Sequence, residues 1–124
     1  MKLTANFSLL EFNKRNEILP DSVKANIHTL AQNLQVLRDE VKRPITITSG
    51  YRSPEHNARI GGAKASKHIT GEAADIKVQG MTPSEVAAVI EGLIADGRML
   101  EGGLGIYRSW IHFDIRGKRV RWKK

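Results

Sequence analysis

His68 and Asp75 stand seven residues apart in the stretch Ser66-Lys67-His68-Ile69-Thr70-Gly71-Glu72-Ala73-Ala74-Asp75, and Trp110-Ile111-His112-Phe113-Asp114 supplies a second imidazole. Two neutral imidazoles and one carboxylate leave a divalent cation with net positive charge and an open fourth position. That is what a Lewis acid needs in order to activate water. The residue types therefore point to hydrolysis, with one zinc ion held by His68, Asp75 and His112.

Spacing dictates what must position these groups. Partners on one helix face are three or four residues apart, so His68 and Asp75 do not share one, and the segment between them must bend back. Gly71 and the small Ala73 and Ala74 permit the bend. From Ala74 to Val78 the chain alternates as a strand, with Ala74, Ile76 and Val78 on one face and Asp75 and Lys77 on the other. Around the second imidazole, Ile111, Phe113 and Ile115 alternate with Trp110, His112 and Asp114. Each strand anchors itself with one face and presents chemistry with the other.

The pattern Ser66, His68, Gly71, Ala73, Asp75, followed by the apolar strand carrying His112 and Asp114, resembles the zinc D-alanyl-D-alanine carboxypeptidase family. That family shares the Hedgehog-type peptidase fold with phage peptidoglycan endopeptidases. Ser49-Gly50-Tyr51-Arg52-Ser53 stands upstream as the family's arginine-bearing loop does, and the resemblance runs from about Phe7 to Gly117. It implies that His68, Asp75 and His112 are zinc ligands and that Arg52 and Ser66 bind a substrate carboxylate or carbonyl. Tyr51, beside Arg52, is a further candidate for substrate contact, against an ordinary core or rim aromatic. The implied activity is hydrolysis of peptide bonds in bacterial peptidoglycan, as a carboxypeptidase or as an endolysin-like endopeptidase.

One position departs from the family. Its better-known members carry Glu or Asp three residues before the last zinc histidine, as general base, and here that position is Ser109. A serine cannot take a proton from water at neutral pH. Asp114 is the leading substitute, because residues two apart on a strand share a face at roughly 6.5 to 7 Å. Glu101 is the second candidate, and an alternative for Asp114 is to orient an imidazole from behind. The missing acid also leaves room for a zinc-containing cell-wall-binding or phage structural protein without turnover.

The remaining pattern predicts a single α+β domain over residues 1–124, a small antiparallel sheet packed against two main helices. A helix opens at Pro20-Asp21-Ser22 with the stripe Val23, Ile27, Leu30, Leu34, Leu37 and Val41, and Pro44 ends it. Ile45 to Thr48 reads as a strand delivering Arg52. Thr82-Pro83-Ser84-Glu85 carries a cap, a first-turn proline and a capping-box Glu for a second helix closed by Asp96-Gly97. Strands from about Leu104 to Tyr107 and Trp110 to Ile115 form a hairpin around Arg108-Ser109, and Ser53 to Ser66 reads as a long loop without periodicity.

Composition narrows the classes. With 124 residues and 40% hydrophobic content the chain buries one modest core, and the absence of cysteine excludes disulfides and thiolate zinc sites. No apolar run suits a signal peptide or a membrane span, so synthesis in the cytoplasm is expected, with access to cell wall after lysis, by another export route, or from a virion. His28 and His56 read as non-ligands. The net charge of +7 gathers at the C-terminus, where Arg108, Arg116, Lys118, Arg119, Arg121, Lys123 and Lys124 fall within seventeen residues, and residues 116–124 read as a basic tail. Such a tail attracts anionic cell wall or membrane surfaces. A nucleic-acid-binding module is the rival reading, but no nucleic-acid motif is present and no nucleic acid is expected. A monomer is expected.

Overall fold

The computed structural model describes residues 1–124. A short helix, α1 (Leu9–Phe12), precedes the long α2 (Asp21–Val41). The α2 stripe is the expected one, with Ile27, Leu30, Leu34 and Leu37 at most 1% exposed. The helix stops where Lys42 takes a left-handed conformation and its N–H donates to the Arg38 carbonyl at 2.9 Å, just before Pro44. Strand β1 (Ile45–Ser49) follows and runs into the Arg52 loop.

The stretch from Ser53 to Ser66, expected to be irregular, begins with helix α3 (Pro54–Arg59). Its signal is local: the Ser53 hydroxyl accepts the His56 N–H at 3.2 Å, and Pro54 occupies the first turn, where its missing N–H costs nothing. Six residues are too few to show a helical period. After strand β2 (Ala73–Val78), helix α4 (Pro83–Ala95) opens on the expected reciprocal cap. Glu85 N–H donates to the Thr82 hydroxyl at 3.2 Å, and Thr82 N–H donates to the Glu85 carboxylate at 2.8 Å.

Strands β3 (Gly103–Ile106) and β4 (Ile111–Asp114) form the expected hairpin, closed by Tyr107 N–H donating to the Trp110 carbonyl at 3.0 Å. The sheet order is β1-β2-β4-β3-β5, where β5 is Val120–Lys123. One apolar cluster unites α2 and α4 with the inward face of the sheet, through Ile47, Ala74, Ile76, Leu104, Ile111 and Phe113. The α+β architecture with two main helices is as expected. No helix is long and apolar enough to cross a membrane.

The C-terminus differs from expectation. Residues expected as a basic tail include β5, which pairs parallel with β3 and makes the otherwise antiparallel sheet mixed. Ion pairs account for its docking. The Arg121 guanidinium donates to Glu91 of α4 at 2.8 and 2.9 Å and to Glu101 at 2.7 Å, while Arg119 reaches Glu91 at 3.1 Å. Arg116 is paired with Asp114. Three of the seven clustered cations are therefore neutralised within the fold, which weakens a free polyanion-binding tail.

The latch has a defined pH dependence. Hydrogen bonding from Arg121, opposed by partial burial and assisted by Arg119, holds the Glu91 carboxyl at about 2 against an ordinary 4.5. A carboxyl depressed in the folded state stabilises above its unfolded pKa and loses that contribution as pH falls through the folded one. The Glu91 side chain is 35% exposed, so solvent screening limits the effect to about 1 kcal/mol or less. Thermal melts of wild type and Glu91→Gln should therefore differ at neutral pH and converge between pH 4.5 and 2; a difference independent of pH would refute the latch.

Candidate metal centre

The solvent-side face of the sheet carries one transverse row. Ser49 of β1 lies opposite Asp75 of β2, Asp75 opposite His112 of β4, His112 opposite Gly105 of β3, and Gly105 opposite Trp122 of β5. Facing residues on neighbouring strands bring their Cβ atoms to about 5 Å, so register alone puts the Asp75 carboxylate against the His112 ring. His68 comes from outside the sheet. Its segment bends back as the spacing required: Glu72 N–H donates to the Lys67 carbonyl at 3.0 Å, and Gly71 has φ +78°, where a Cβ would lie 2.9 Å from Val23.

The donor atoms converge. Asp75 Oδ1 lies 3.4 Å from His68 Nε2 and 3.4 Å from His112 Nδ1. A tetrahedral zinc with bonds of about 2.0–2.2 Å spaces its ligand atoms roughly 3.3–3.6 Å apart, so these separations fit one ion. The outward ring atoms fix the tautomers. His68 Nδ1 lies 2.8 Å from the Gly50 carbonyl, which only accepts, so Nδ1 carries the proton and Nε2 keeps its lone pair for the centre. His112 Nε2 lies 2.7 Å from Asp114 Oδ2, leaving Nδ1 free in the same way. All three donors are buried.

Electrostatics agree with a cation site. Burial alone would raise the Asp75 carboxyl, but the His112 and His68 imidazoles set against it outweigh burial and hold the group at about 2. Burial would lower the His112 pKa, yet its hydrogen bonds with Asp114 and Asp75 raise it. A metal must displace that proton, so metal affinity falls as pH falls.

The profile of the Peptidase M15 family matches residues 5–114. The chain belongs to this family. It is also similar to the zinc D-Ala-D-Ala carboxypeptidase of Streptomyces albus G, with 33% identity over 78 residues, which is 57% of this chain and 31% of that protein. The chain thus spans about a third of the length of that relative. Among solved structures, the crystal structure of the Serratia marcescens L-Ala D-Glu endopeptidase ChiX superimposes with a TM-score of 0.50 at 16% identity, covering 84% of this chain and 94% of that one. This likeness concerns the fold. The Peptidase M15 assignment and the His-Asp-His donor set agree on one zinc ion as cofactor.

The donors open into a cleft of about 530 Å³. Arg52 lines it, with Nη2 3.7 Å from Asp75 Oδ2 and Nη1 donating to Asn57 Oδ1 at 3.3 Å. Ser66 lines it too, its hydroxyl accepting the His68 N–H at 3.2 Å. Tyr51 does not. Its ring packs against the hydrophobic core, away from the cleft lining, and its N–H donates to the Phe12 carbonyl at 2.7 Å.

The two candidate bases lie elsewhere. Asp114 is fully buried behind His112, on the ring edge opposite the donor atom, and its carboxylate accepts five hydrogen bonds: from His112, from Gly103 N–H, and from the Arg116 N–H, Nε and Nη2. Burial would raise its pKa, but the bonds from His112 and Arg116 hold it far below the usual range. It has no access to a water on the metal side, so its geometry is that of the imidazole-orienting alternative. Glu101 is engaged by Arg121 and by Gly102 N–H and does not line the cleft. Ser109 is exposed and borders a separate depression with Trp110 and Met81. His28 lies in another depression, at the N-terminus, and His56 in α3 stands outside the donor group.

Sequence reading missed Trp122, whose ring lies 4.9 Å from His112, and the 4.7 Å stack of Tyr107 on Trp110. It also missed Arg116 on Asp114 and the Gly50 carbonyl on His68. One signal was available: glycine at both Gly103 and Gly105 marks a strand face that something bulky must approach.

Two predictions follow the geometry. Zinc content by elemental analysis should collapse in His68→Ala, Asp75→Ala and His112→Ala and stay full in His56→Ala; a full complement in any of the first three removes that residue from the ligand set. Asp114→Asn should weaken zinc affinity by about tenfold to a hundredfold in a chelator competition, with added zinc restoring most turnover. Full zinc affinity together with lost turnover would instead return Asp114 to the role of base.

Proposed function

We propose that this chain is a zinc metallopeptidase that hydrolyses peptide bonds of bacterial peptidoglycan peptides, as a D-Ala-D-Ala carboxypeptidase or a stem or crosslink endopeptidase. The observation that carries the reading is the donor set: Asp75 Oδ1 stands 3.4 Å from the inner nitrogen of each imidazole, all three atoms lie within 4.8 Å of one another, and each imidazole is locked by an outer partner in the tautomer that leaves its inner nitrogen free. Zinc bound there supplies a Lewis acid that polarises a carbonyl and lowers the pKa of water toward about 7. The names of the two similar proteins, a D-Ala-D-Ala carboxypeptidase and an L-Ala D-Glu endopeptidase, support peptides of this class.

The chain's own residues would act as follows. Arg52 presents a guanidinium beside Asp75, suited to a carboxylate of the peptide. Ser66 offers a hydroxyl on the same side of the cleft. Tyr107, Trp110 and Trp122 line it with aromatic surface against which a peptide can pack and exclude water. An endolysin-like role, with access to the wall after lysis, by another export route or from a virion, belongs to the same proposal.

A second reading has one specific observation in its favour. Asp75 is the single carboxylate lining the cleft, so no free acid stands ready to take a proton. On that ground a zinc-containing protein that binds cell-wall peptide without turnover is the alternative. Mass spectrometry of purified muropeptides incubated with the zinc-loaded protein separates them. The enzyme should release a defined fragment, lost on chelation and restored by zinc; intact muropeptides that nevertheless co-sediment with the protein on sacculi would establish the binder.

A further inference from the structure

Among the neutral side-chain donors lining the cleft are the hydroxyls of Ser66 and Tyr107 and the indole N–H groups of Trp110 and Trp122, the last of which is spent on Tyr107. The Tyr107 hydroxyl is the one that the fold prepares from both sides.

Tyr107 sits at the start of the β3–β4 turn. Its N–H closes the hairpin onto Trp110, and the two rings stack with centroids 4.7 Å apart and planes 10° apart, so the phenol cannot swing freely. Trp122 reaches it from β5 across Gly105. A Cβ at Gly105 would lie 2.3 Å from the indole, so only glycine lets that ring lie over the strand. The same indole packs against His112 at 4.9 Å, which ties the position of Tyr107 to that of a zinc ligand.

Trp122 Nε1 lies 3.0 Å from Tyr107 Oη. An indole N–H can only donate, so the phenol oxygen accepts and its own proton must point elsewhere. No protein group accepts that proton, and Tyr107 faces the cleft. A hydroxyl whose oxygen already accepts a hydrogen bond is polarised into a better donor.

We propose that the Tyr107 hydroxyl is a substrate-contacting hydrogen-bond donor, directed at a carbonyl oxygen of the peptide bound over His68, Asp75 and His112, with Trp122 as the residue that aims it. This rests on the peptidase reading above. It assigns the aromatic wall a polar function in recognition, in addition to packing.

The test uses the full chain, purified disaccharide-pentapeptide as probe, and two variants. Calorimetric titration into the metal-free protein reads binding without turnover, and the zinc-loaded protein gives kcat/KM. Tyr107→Phe keeps the stack on Trp110 and removes only the hydroxyl; it should bind the probe about fivefold to tenfold more weakly and lose at least as much in kcat/KM, with zinc content unchanged. Trp122→Phe keeps a ring against His112 and leaves the hydroxyl in place, so its loss should be smaller. Binding by Tyr107→Phe equal to wild type overturns the proposal, as does a Trp122→Phe loss matching that of Tyr107→Phe, which would mean that the hydroxyl only holds the indole. A wild-type protein that neither binds nor cleaves this probe or its crosslinked dimer overturns the peptidase reading along with this one, whereas wild-type cleavage with Tyr107→Phe unimpaired overturns this one alone.

Discussion

Asp75 and His112 face each other across the β2–β4 ladder, and the donor geometry depends on that register. Side chains on a strand alternate between faces, so a slip of one residue would turn the Asp75 carboxylate into the core and bring Ala74 or Ile76 to the site. The slip is opposed by the opposite face, where Ala74, Ile76, Ile111 and Phe113 are at most 1% exposed. Burying those side chains contributes about 1.5–3 kcal/mol for each large one. The core thereby sets the position of the chemistry on the far side of the same strands.

Register brings the ligands together, and buried polar partners behind them set their chemistry. A neutral imidazole has two tautomers, of which one exposes a lone pair to the centre. The Gly50 carbonyl selects it for His68 and the Asp114 carboxylate selects it for His112. An ionised carboxylate in such a position must itself be satisfied, because a buried charge without partners costs several kcal/mol. Arg116 and the Gly103 N–H meet that need, and Gly103 is glycine because a Cβ there would lie 2.3 Å from Asp114 Oδ2. The motif around His112 thus extends in space to the β3 glycines and to the chain after β4.

The C-terminal strand extends the same logic. Trp122 lies over Gly105 and against His112, and it stays there while β5 is docked by Arg119 and Arg121 on Glu91 and Glu101. Cations that look in the sequence like a solvated basic tail serve as the attachment of a cleft wall. Their pairing with Glu91 and Glu101 lowers the local density of free positive charge at the C-terminus, while the net charge of +7, which already counts those acids, is unchanged.

Much of this was legible without coordinates because its causes are short-range. The stripe from Val23 to Leu37 specifies a helix through a period of three and four, the Thr82–Glu85 pair specifies a start through two local hydrogen bonds, and Gly71 between His68 and Asp75 specifies a bend. The ligand trio was readable for the same reason, since its residue types and spacing lie in two short segments. The sequence alone left open which acid does what. Asp114 is two residues from His112 along the chain, and that separation suits either a base beside the metal or an acceptor behind the ring. The tertiary structure puts the carboxylate behind the ring, where Gly103 and Arg116 close around it. It likewise drew Glu101 into the β5 latch, turned Tyr51 to the core and brought Trp122 onto His112. These are pairings between segments distant in sequence, and no local period or cap encodes them; they follow from how five strands align once the apolar face is buried.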